Sequence, residues 1–304
     1  MEYKEEDFLN QLRALKMSEK DLLGRYEKPQ ALLALEQLQA NKEIDTEAIG
    51  LQLYGSVPFT PAPVDVIPFA HTGGDGCYVG FITDFGFQDD LENAPIAFIS
   101  PADFDQQNPK QGNFLIAGNI KEFLSCIISL KYIEIVRFKD IYTDDLQNDI
   151  MQCIKDRKEI GIDMITTPAK IKHVFNVPFI DNFPHYFRKV RANRVKNTNV
   201  ETIDGLRLLV KGHIGTCGTL RELDVNAFAN TVGFLNLPAK LKAIRDAPYL
   251  YPFFKDEYAT IKTAIASDLE KEGFKRESRI INFEIKKELL FKRYLEIRRE
   301  KRQN

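Results

Sequence analysis

The residues of this 304-residue chain whose types and spacing could do chemistry fall in two glycine-rich segments, an acidic run and a basic run. The first segment is His71-Thr72-Gly73-Gly74-Asp75-Gly76, set between two apolar stretches. A phosphate-cradling loop needs such glycines between a strand and a helix, with Lys-Ser/Thr following. Here an aromatic strand follows and no lysine is present, so the segment reads as a β-hairpin whose glycines supply positive φ. His71, Gly73, Gly74 and Asp75 would then form a small recognition site at the hairpin tip. The second segment is Gly212-His213-Ile214-Gly215-Thr216-Cys217-Gly218. His213 and Cys217 are four apart, a spacing that on a helix puts two metal ligands on one face. Gly215 and Gly218 argue against a helix there. A nucleophilic Cys217 would need a histidine base and a third, orienting group, and the sequence identifies none. A loop with a semi-buried thiol is the plainer reading. The histidines (71, 173, 185, 213) are dispersed. The sequence therefore predicts no metal site, no cofactor and no catalytic residue.

Asp84, Asp89, Asp90 and Glu92, followed by Asp103 and Asp105, lack the ordered spacing of a calcium loop. They read as solvated loop charge, with Asp84, Asp89 and Asp90 as candidate contacts to a basic partner. Arg188, Lys189, Arg191, Arg194 and Lys196, preceded by Phe183, Tyr186 and Phe187, read as a basic surface. Such mixing could stack bases and neutralise phosphates. A second basic run occupies 286–302. The sequence pI of about 6.2 argues against nucleic acid as the partner. The formal net charge of -2 hides a split. Residues 1–130 hold 9 Lys and Arg against 20 Asp and Glu, and residues 131–304 hold 33 against 24.

The elements that must position these groups follow from periodicity. Residues 4–23 and 29–40 read as helices, the second opening at Pro29. Pro58, Pro61, Pro63 and Pro68 force an extended path. Strands are expected at Val64–Ala70, Cys77–Phe85, Ile96–Ser100 and Phe114–Ala117. Asn119 caps an expected helix, Ile120–Leu130. Beyond it, Ile133–Phe138 reads as a strand, Asp145–Lys155 and Pro168–Phe175 as helices, and 176–200 as irregular. A capping box at Thr219–Glu222 opens a helix to about Val232. Helices follow at Pro238–Ala247 and Pro252–Glu272, then a strand at Arg279–Ile285 and a basic terminal helix, Lys286–Arg302. The expected class is α+β: an antiparallel-rich sheet with flanking helices in the first part and a mostly helical second part. The expected division is an α+β domain at 1–135 and a helix-rich domain at 136–304.

No stretch reaches the roughly 18 uninterrupted apolar residues of a membrane span. Cys77, Cys126, Cys153 and Cys217 form no CxxC pair or disulfide framework. The N-terminus has no signal-peptide core. A cytoplasmic protein with reduced thiols, apart from the membrane, is the expectation.

Pro68-Phe-Ala-x-Thr-Gly-Gly-Asp-Gly76 with its aromatic strand, then Pro95-Ile-Ala-Phe-Ile-Ser-Pro101, then Ile116-Ala-Gly-Asn-Ile-Lys-Glu-Phe-Leu124, resembles the core of the SUKH superfamily of Smi/Knr-like proteins. The likeness covers about residues 57–130. The segment is also similar to uncharacterised bacterial proteins that share the Thr-Gly-Gly-Asp-Gly and Thr-Asp-Phe-Gly strings. Many members of the superfamily are bacterial immunity proteins. The resemblance implies a non-enzymatic binding protein acting by surface complementarity on a basic protein such as a toxin, an expectation that suits the acidic first part. Two other classes stay open. One is an enzyme acting on a small molecule between the two parts, using His71, Asp75 or Cys217. The other is a nucleic-acid-associated factor using 188–196 and 286–302.

Overall fold

Apolar β-branched and aromatic residues between prolines and glycines build the sheet. A computed structural model of the chain describes residues 10–11, 14–53, 63–73, 76–100, 112–133, 136, 145–159, 163, 165–212, 225–250 and 258–303. Its five strands are β1 Gln52–Leu53, β2 Val66–His71, β3 Tyr78–Ile82, β4 Ile96–Ile99 and β5 Asn113–Ala117. They pair antiparallel in chain order. Every residue of β3 and β4 is buried, so their unbroken apolar runs reflect cover on both faces rather than a half-wet sheet. Pro68 sits where the β2–β3 register shifts, opposite Gly80, which is where a strand tolerates proline. Gly80 is required by the same close approach, because a Cβ there would lie 2.5 Å from Val66 Cγ1 and 2.9 Å from the Ile67 carbonyl oxygen.

The helices are α1 Glu19–Leu23, α2 Gln30–Ala40, α3 Ile120–Leu130, α4 Leu146–Glu159, α5 Thr166–Phe175, α6 Phe183–Asn197, α7 Val225–Val232, α8 Leu237–Leu250, α9 Ala259–Lys271 and α10 Lys275–Gln303. The class is α+β, with the sheet in the first half and a mostly helical second half. Among the described residues no helix is long and apolar enough to cross a membrane. As expected, Asn119 caps α3: its side chain accepts from the Glu122 N–H at 2.9 Å, and Glu122 in turn accepts from the Gly118 N–H at 2.8 Å. Phe123 of α3 then meets Phe69 edge-on, ring centroids 5.4 Å apart, and Phe69 lies 4.5 Å from Phe81.

The chain forms two compact units whose division differs from the expected 135/136 boundary. One comprises Arg25–Tyr54 and Val66–His213, and so holds the sheet together with α2 to α6. Polar ties bind its later helices to its earlier part. The Asp45 N–H donates to Thr167 Oγ1 at 2.9 Å, the Ile180 N–H to Ser129 Oγ at 2.9 Å, and the Tyr186 hydroxyl to the Ile116 carbonyl at 3.0 Å.

The other unit comprises Met1–Gly24, Gly55–Asp65 and Ile214–Asn304. Its helical core is threaded with buried ion pairs. Arg245 donates to Asp65 at 2.5 Å with both side chains fully buried. Arg276 donates to the Leu22 and Val64 carbonyls at 2.5 and 3.2 Å, and to Glu277 at 2.8 Å. Lys262 on α9 pairs with Glu288 on α10.

Three expectations are corrected. Residues 176–200 are not irregular throughout: 183–197 form α6, capped by Asn182, which accepts from the His185 N–H at 2.9 Å. Dense cations and an arginine on the buried stripe hide its apolar period. Arg279–Ile285 is not a strand but part of α10. Its alternating β-branched run is overridden by packing on α9, where the Ser278 hydroxyl donates to the Ala266 carbonyl at 2.8 Å. The strand over 77–85 ends at Ile82, and 84–86 turn. The capping box Thr219–Glu222 and most of Ile133–Phe138 lie outside the described residues.

Candidate functional site

The hairpin tip forms as its glycines require. His71 pairs opposite Tyr78, the Thr72 N–H donates to the Cys77 carbonyl at 3.2 Å, and Gly73 and Gly76 have φ of +137° and +77°. The half-buried His71 ring nitrogen Nδ1 lies 3.4 Å from the Gly73 carbonyl oxygen. Gly74 and Asp75 lie outside the described residues, as do His213 and Cys217. Cys77 is buried and its thiol lies 3.1 Å from Ser100 Oγ as donor.

The Thr83-Asp84-Phe85-Gly86 string forms a buried turn in the same unit. Thr83, Asp84 and Phe85 are buried. Asp84, Phe85 and Gly86 have φ of +50°, +54° and +89°. The left-handed region costs a non-glycine residue roughly 1–2 kcal/mol, so two successive such residues persist only where their surroundings hold them. Arg194 of α6 does so. Its Nη1 donates to Asp84 Oδ2 at 2.8 Å and its Nη2 to Asp84 Oδ1 at 2.5 Å, a bidentate pair. Arg194 Nε also donates to the Leu206 carbonyl at 2.9 Å and Nη2 to the Arg207 carbonyl at 2.8 Å.

The segment after α6 is built to supply those carbonyls. Val200 and Leu208 exchange backbone hydrogen bonds at 3.1 and 2.9 Å, and Asn199 clasps Val210 in both directions at 2.9 and 3.1 Å. Asp204 accepts from Thr202 Oγ1 at 2.6 Å and from the Leu206 N–H at 2.9 Å. Arg207 Nε donates to Thr198 Oγ1 at 2.9 Å.

Two sequence readings are thereby corrected. Asp84 is not solvated loop charge, and Arg194 is not exposed basic surface: both are buried, and they are bound to each other. Desolvating a carboxylate and a guanidinium is tolerable only in such bidentate, fully hydrogen-bonded geometry.

Downstream of the turn the acidic segment reaches solvent. Arg25 donates to the Gly86 carbonyl at 2.5 Å, and the Tyr26 hydroxyl donates to the Gln88 carbonyl at 2.8 Å. Asp90 accepts from the Asn93 N–H at 2.8 Å, which closes the loop. Asp89 and Asp90 are exposed, and Glu92 is half-buried. The loop is thus fixed at the root by Arg194, along its backbone by Arg25 and Tyr26, and at its end by its own Asx turn. Arg188, Lys189, Arg191 and Lys196 are exposed on α6. The structure joins Asp84 of the predicted acidic groups to Arg194 of the predicted basic ones. His71 makes its own contact at the hairpin tip.

Arg25, Tyr26 and the 198–210 cradle escape sequence reasoning, since backbone carbonyls as acceptors leave no trace in residue type. Asp84 and Arg194 did leave one. Asp84 interrupts an apolar run from Tyr78 to Phe87, and Arg194 falls on the stripe of Phe183, Phe187 and Val190. A charge on an apolar stripe is a charge with a buried partner.

Burial disfavours the charged forms of Cys126, Cys153 and Tyr186. It pushes the Cys126 thiol far above its ordinary range, with Glu122 adding to the effect, and pushes the Tyr186 hydroxyl up in the same way. The half-buried Cys153 is also raised, chiefly by burial. Among the described residues no group of three His, Cys, Asp or Glu side chains is placed to hold a metal ion. Compared with family models and with curated proteins, the chain matches none.

Proposed function

We propose that this protein is a non-enzymatic bacterial binding protein of the immunity type, which acts in the cytoplasm by surface complementarity on a basic protein partner such as a toxin. The observation that carries the reading is the anchoring of loop 83–93: buried Asp84–Arg194, Arg25 and Tyr26 hold a turn that presents Asp89 and Asp90 to solvent. A loop already held in one geometry gives up little conformational freedom on binding. Fixed carboxylates also raise the association rate of a cationic partner. The strings at 68–76, 95–101 and 116–124, which resemble the SUKH core, support the same class. Cys77 and Cys126, buried and in no disulfide, suit a reducing compartment.

The test compares the wild-type chain with Asp89→Lys in co-purification from a lysate of the host, followed by titration of the isolated partner at rising salt. The reading expects one basic protein that the wild type retains, whose association slows as salt rises and whose retention falls at least tenfold in D89K. No retained protein, or a partner held equally by D89K, refutes it.

A further inference from the structure

We propose that residues 21–26 form a strap through which α10 governs the outer half of the acidic loop. The strap runs through the point where one compact unit ends, at Gly24, and the other begins, at Arg25. Each end is anchored inside its own unit. Upstream, α10 holds it with two arginines: Arg276 Nε donates to the Leu22 carbonyl at 2.5 Å, and Arg279 Nη1 donates to Asp21 Oδ1 at 2.8 Å. Arg276 is itself buried and fixed, because its Nη1 also donates to the Val64 carbonyl at 3.2 Å and to Glu277 at 2.8 Å. Downstream, Arg25 donates to the Gly86 carbonyl at 2.5 Å, and the buried Tyr26 donates to the Gln88 carbonyl at 2.8 Å. These carbonyls lie just ahead of Asp89 and Asp90 in the chain.

The joint between the two holds is built to one conformation. Gly24 has φ +61° and ψ -110°, outside the regions open to a residue with a Cβ. Its N–H donates to the Lys20 carbonyl at 3.0 Å. A Cβ there would lie 3.1 Å from Arg276 Cδ and 3.2 Å from Arg276 Cβ, so the stem of the same arginine that holds Leu22 also lies against Gly24. Three residues separate Leu22 from Arg25, at most about 11 Å of chain. So short a link has no slack with which to absorb a movement at either end.

Two devices therefore hold the acidic loop, and they divide it. Arg194 fixes the root at Asp84 from within the sheet unit. The strap fixes the backbone at 86–88, and its own position is set by Arg276. Release of Leu22 by Arg276 frees the start of the strap, loosens the bonds to Gly86 and Gln88, and leaves the root in place. The consequence for a partner rests on the reading of the loop as a binding surface; the hold on the loop does not.

The experiment is amide hydrogen exchange of the full chain, which reports local opening residue by residue. Four proteins are compared: wild type, R276M, and each of these with Gly-Ser-Gly-Ser inserted between Gly24 and Arg25. The reporters are the Gln88 N–H, bonded to the Thr83 carbonyl, and the Asn93 N–H, bonded to Asp90; the control is the Ile82 N–H, bonded to the Pro95 carbonyl. R276M speeds exchange at Gln88 and Asn93 at least fivefold and leaves Ile82 within twofold of wild type. In the inserted background the same substitution moves the loop amides less than twofold, because the added chain supplies slack. G24A, which forces the joint, gives the same pattern in the same two backgrounds and replaces R276M should that variant not fold. Loop exchange unmoved by the substitution overturns the proposal. So does acceleration that persists with the insert, which assigns the coupling to another route, and so does equal acceleration at Ile82, which shows general loosening of the sheet unit. The readout needs no partner, so failure to retain a protein from the lysate counts against the binding reading alone.

Discussion

Removing one member of the Asp84–Arg194 pair tests whether the acidic segment is held from inside the unit. Asp84→Leu leaves a guanidinium that is 6% exposed with two carbonyl partners and no counter-charge. Breaking a buried pair in this way costs about 3–5 kcal/mol. The remaining bonds to Leu206 and Arg207 place this variant at the lower end. Arg194→Met strands a fully buried carboxylate and sits at the upper end. For a unit of this size about 1 kcal/mol lowers the melting temperature by roughly 2–4 °C, so the single variants fall by about 6–20 °C. The double variant D84L/R194M replaces both charges with apolar groups and returns to within about 2 kcal/mol of wild type, because the desolvation penalty leaves with the pair. The assay is urea unfolding of all four proteins as a double-mutant cycle, with hydrogen exchange of the Ile82–Gln88 amides reporting on the turn. Single variants that each lose under about 1 kcal/mol would show a solvated pair. A double variant as unstable as the sum of the singles would show no coupling. Either result refutes the account of the loop root given above.

Other outcomes follow from single contacts. Gly80→Ala places a Cβ 2.5 Å from Val66 Cγ1, and overpacking of a central strand costs about 1–3 kcal/mol, measurable by urea unfolding. In native protein, peptide-resolved alkylation labels Cys153 before Cys77 and Cys126, because burial raises the Cys126 thiol far above its ordinary range and Cys153 is half-exposed; equal labelling rates would contradict the packing of α3. The Asp21 carboxyl sits below its ordinary value because the Ser18 hydroxyl donates to it, with Arg279 adding to the effect. A depressed folded-state value stabilises the protein above the unfolded value of about 3.9 and loses that contribution as pH falls through the folded value. Asp21 is largely exposed, so the effect is about a few tenths of a kcal/mol. Ser18→Ala raises the Asp21 value in an NMR titration, removes the α1 cap, and narrows its stability gap from wild type as pH falls from about 5 to 3.

The sheet was legible because local rules agree with the tertiary structure there. Alternating glycines and aromatic runs mark β2, β3 and β4, and the Asn119–Glu122 cap marks the start of α3 within a residue. The helix α6 was not legible, because its buried stripe reads Phe183, Phe187, Val190, Arg194, and the last of these breaks a hydrophobic count while completing the packing. Conversely, Ile280, Ile281, Phe283 and Ile285 imitate a strand, and only contact with α9 shows that they belong to a helix. The candidate site was half legible for the same reason. Residue type announces that Asp84 and Arg194 carry charge, whereas their burial depends on a cradle of carbonyls at 206 and 207.

The charge split along the chain takes a different meaning once the units are known. Cut by chain order, residues 1–130 carry a net -11 and the rest +9. Cut by compact unit, Arg25–Tyr54 with Val66–His213 holds 20 basic against 24 acidic residues, and the remaining unit holds 22 against 20. Most of the asymmetry therefore closes inside each unit, because the sheet unit gathers the basic α6 as well as the acidic loop. Long-range steering by a whole acidic domain is then the wrong picture for a partner. What remains is local: carboxylates at 89 and 90 on a fixed loop, and cations at 188, 189, 191 and 196 on a fixed helix, each acting within roughly one screening length. The buried pair at 84 and 194 links both features through one bidentate ion pair, so loss of that pair loosens the root of the acidic loop and the inner face of the basic helix together. Weakened partner binding in both D84L and D89K, with lost stability in D84L alone, is the pattern this coupling demands.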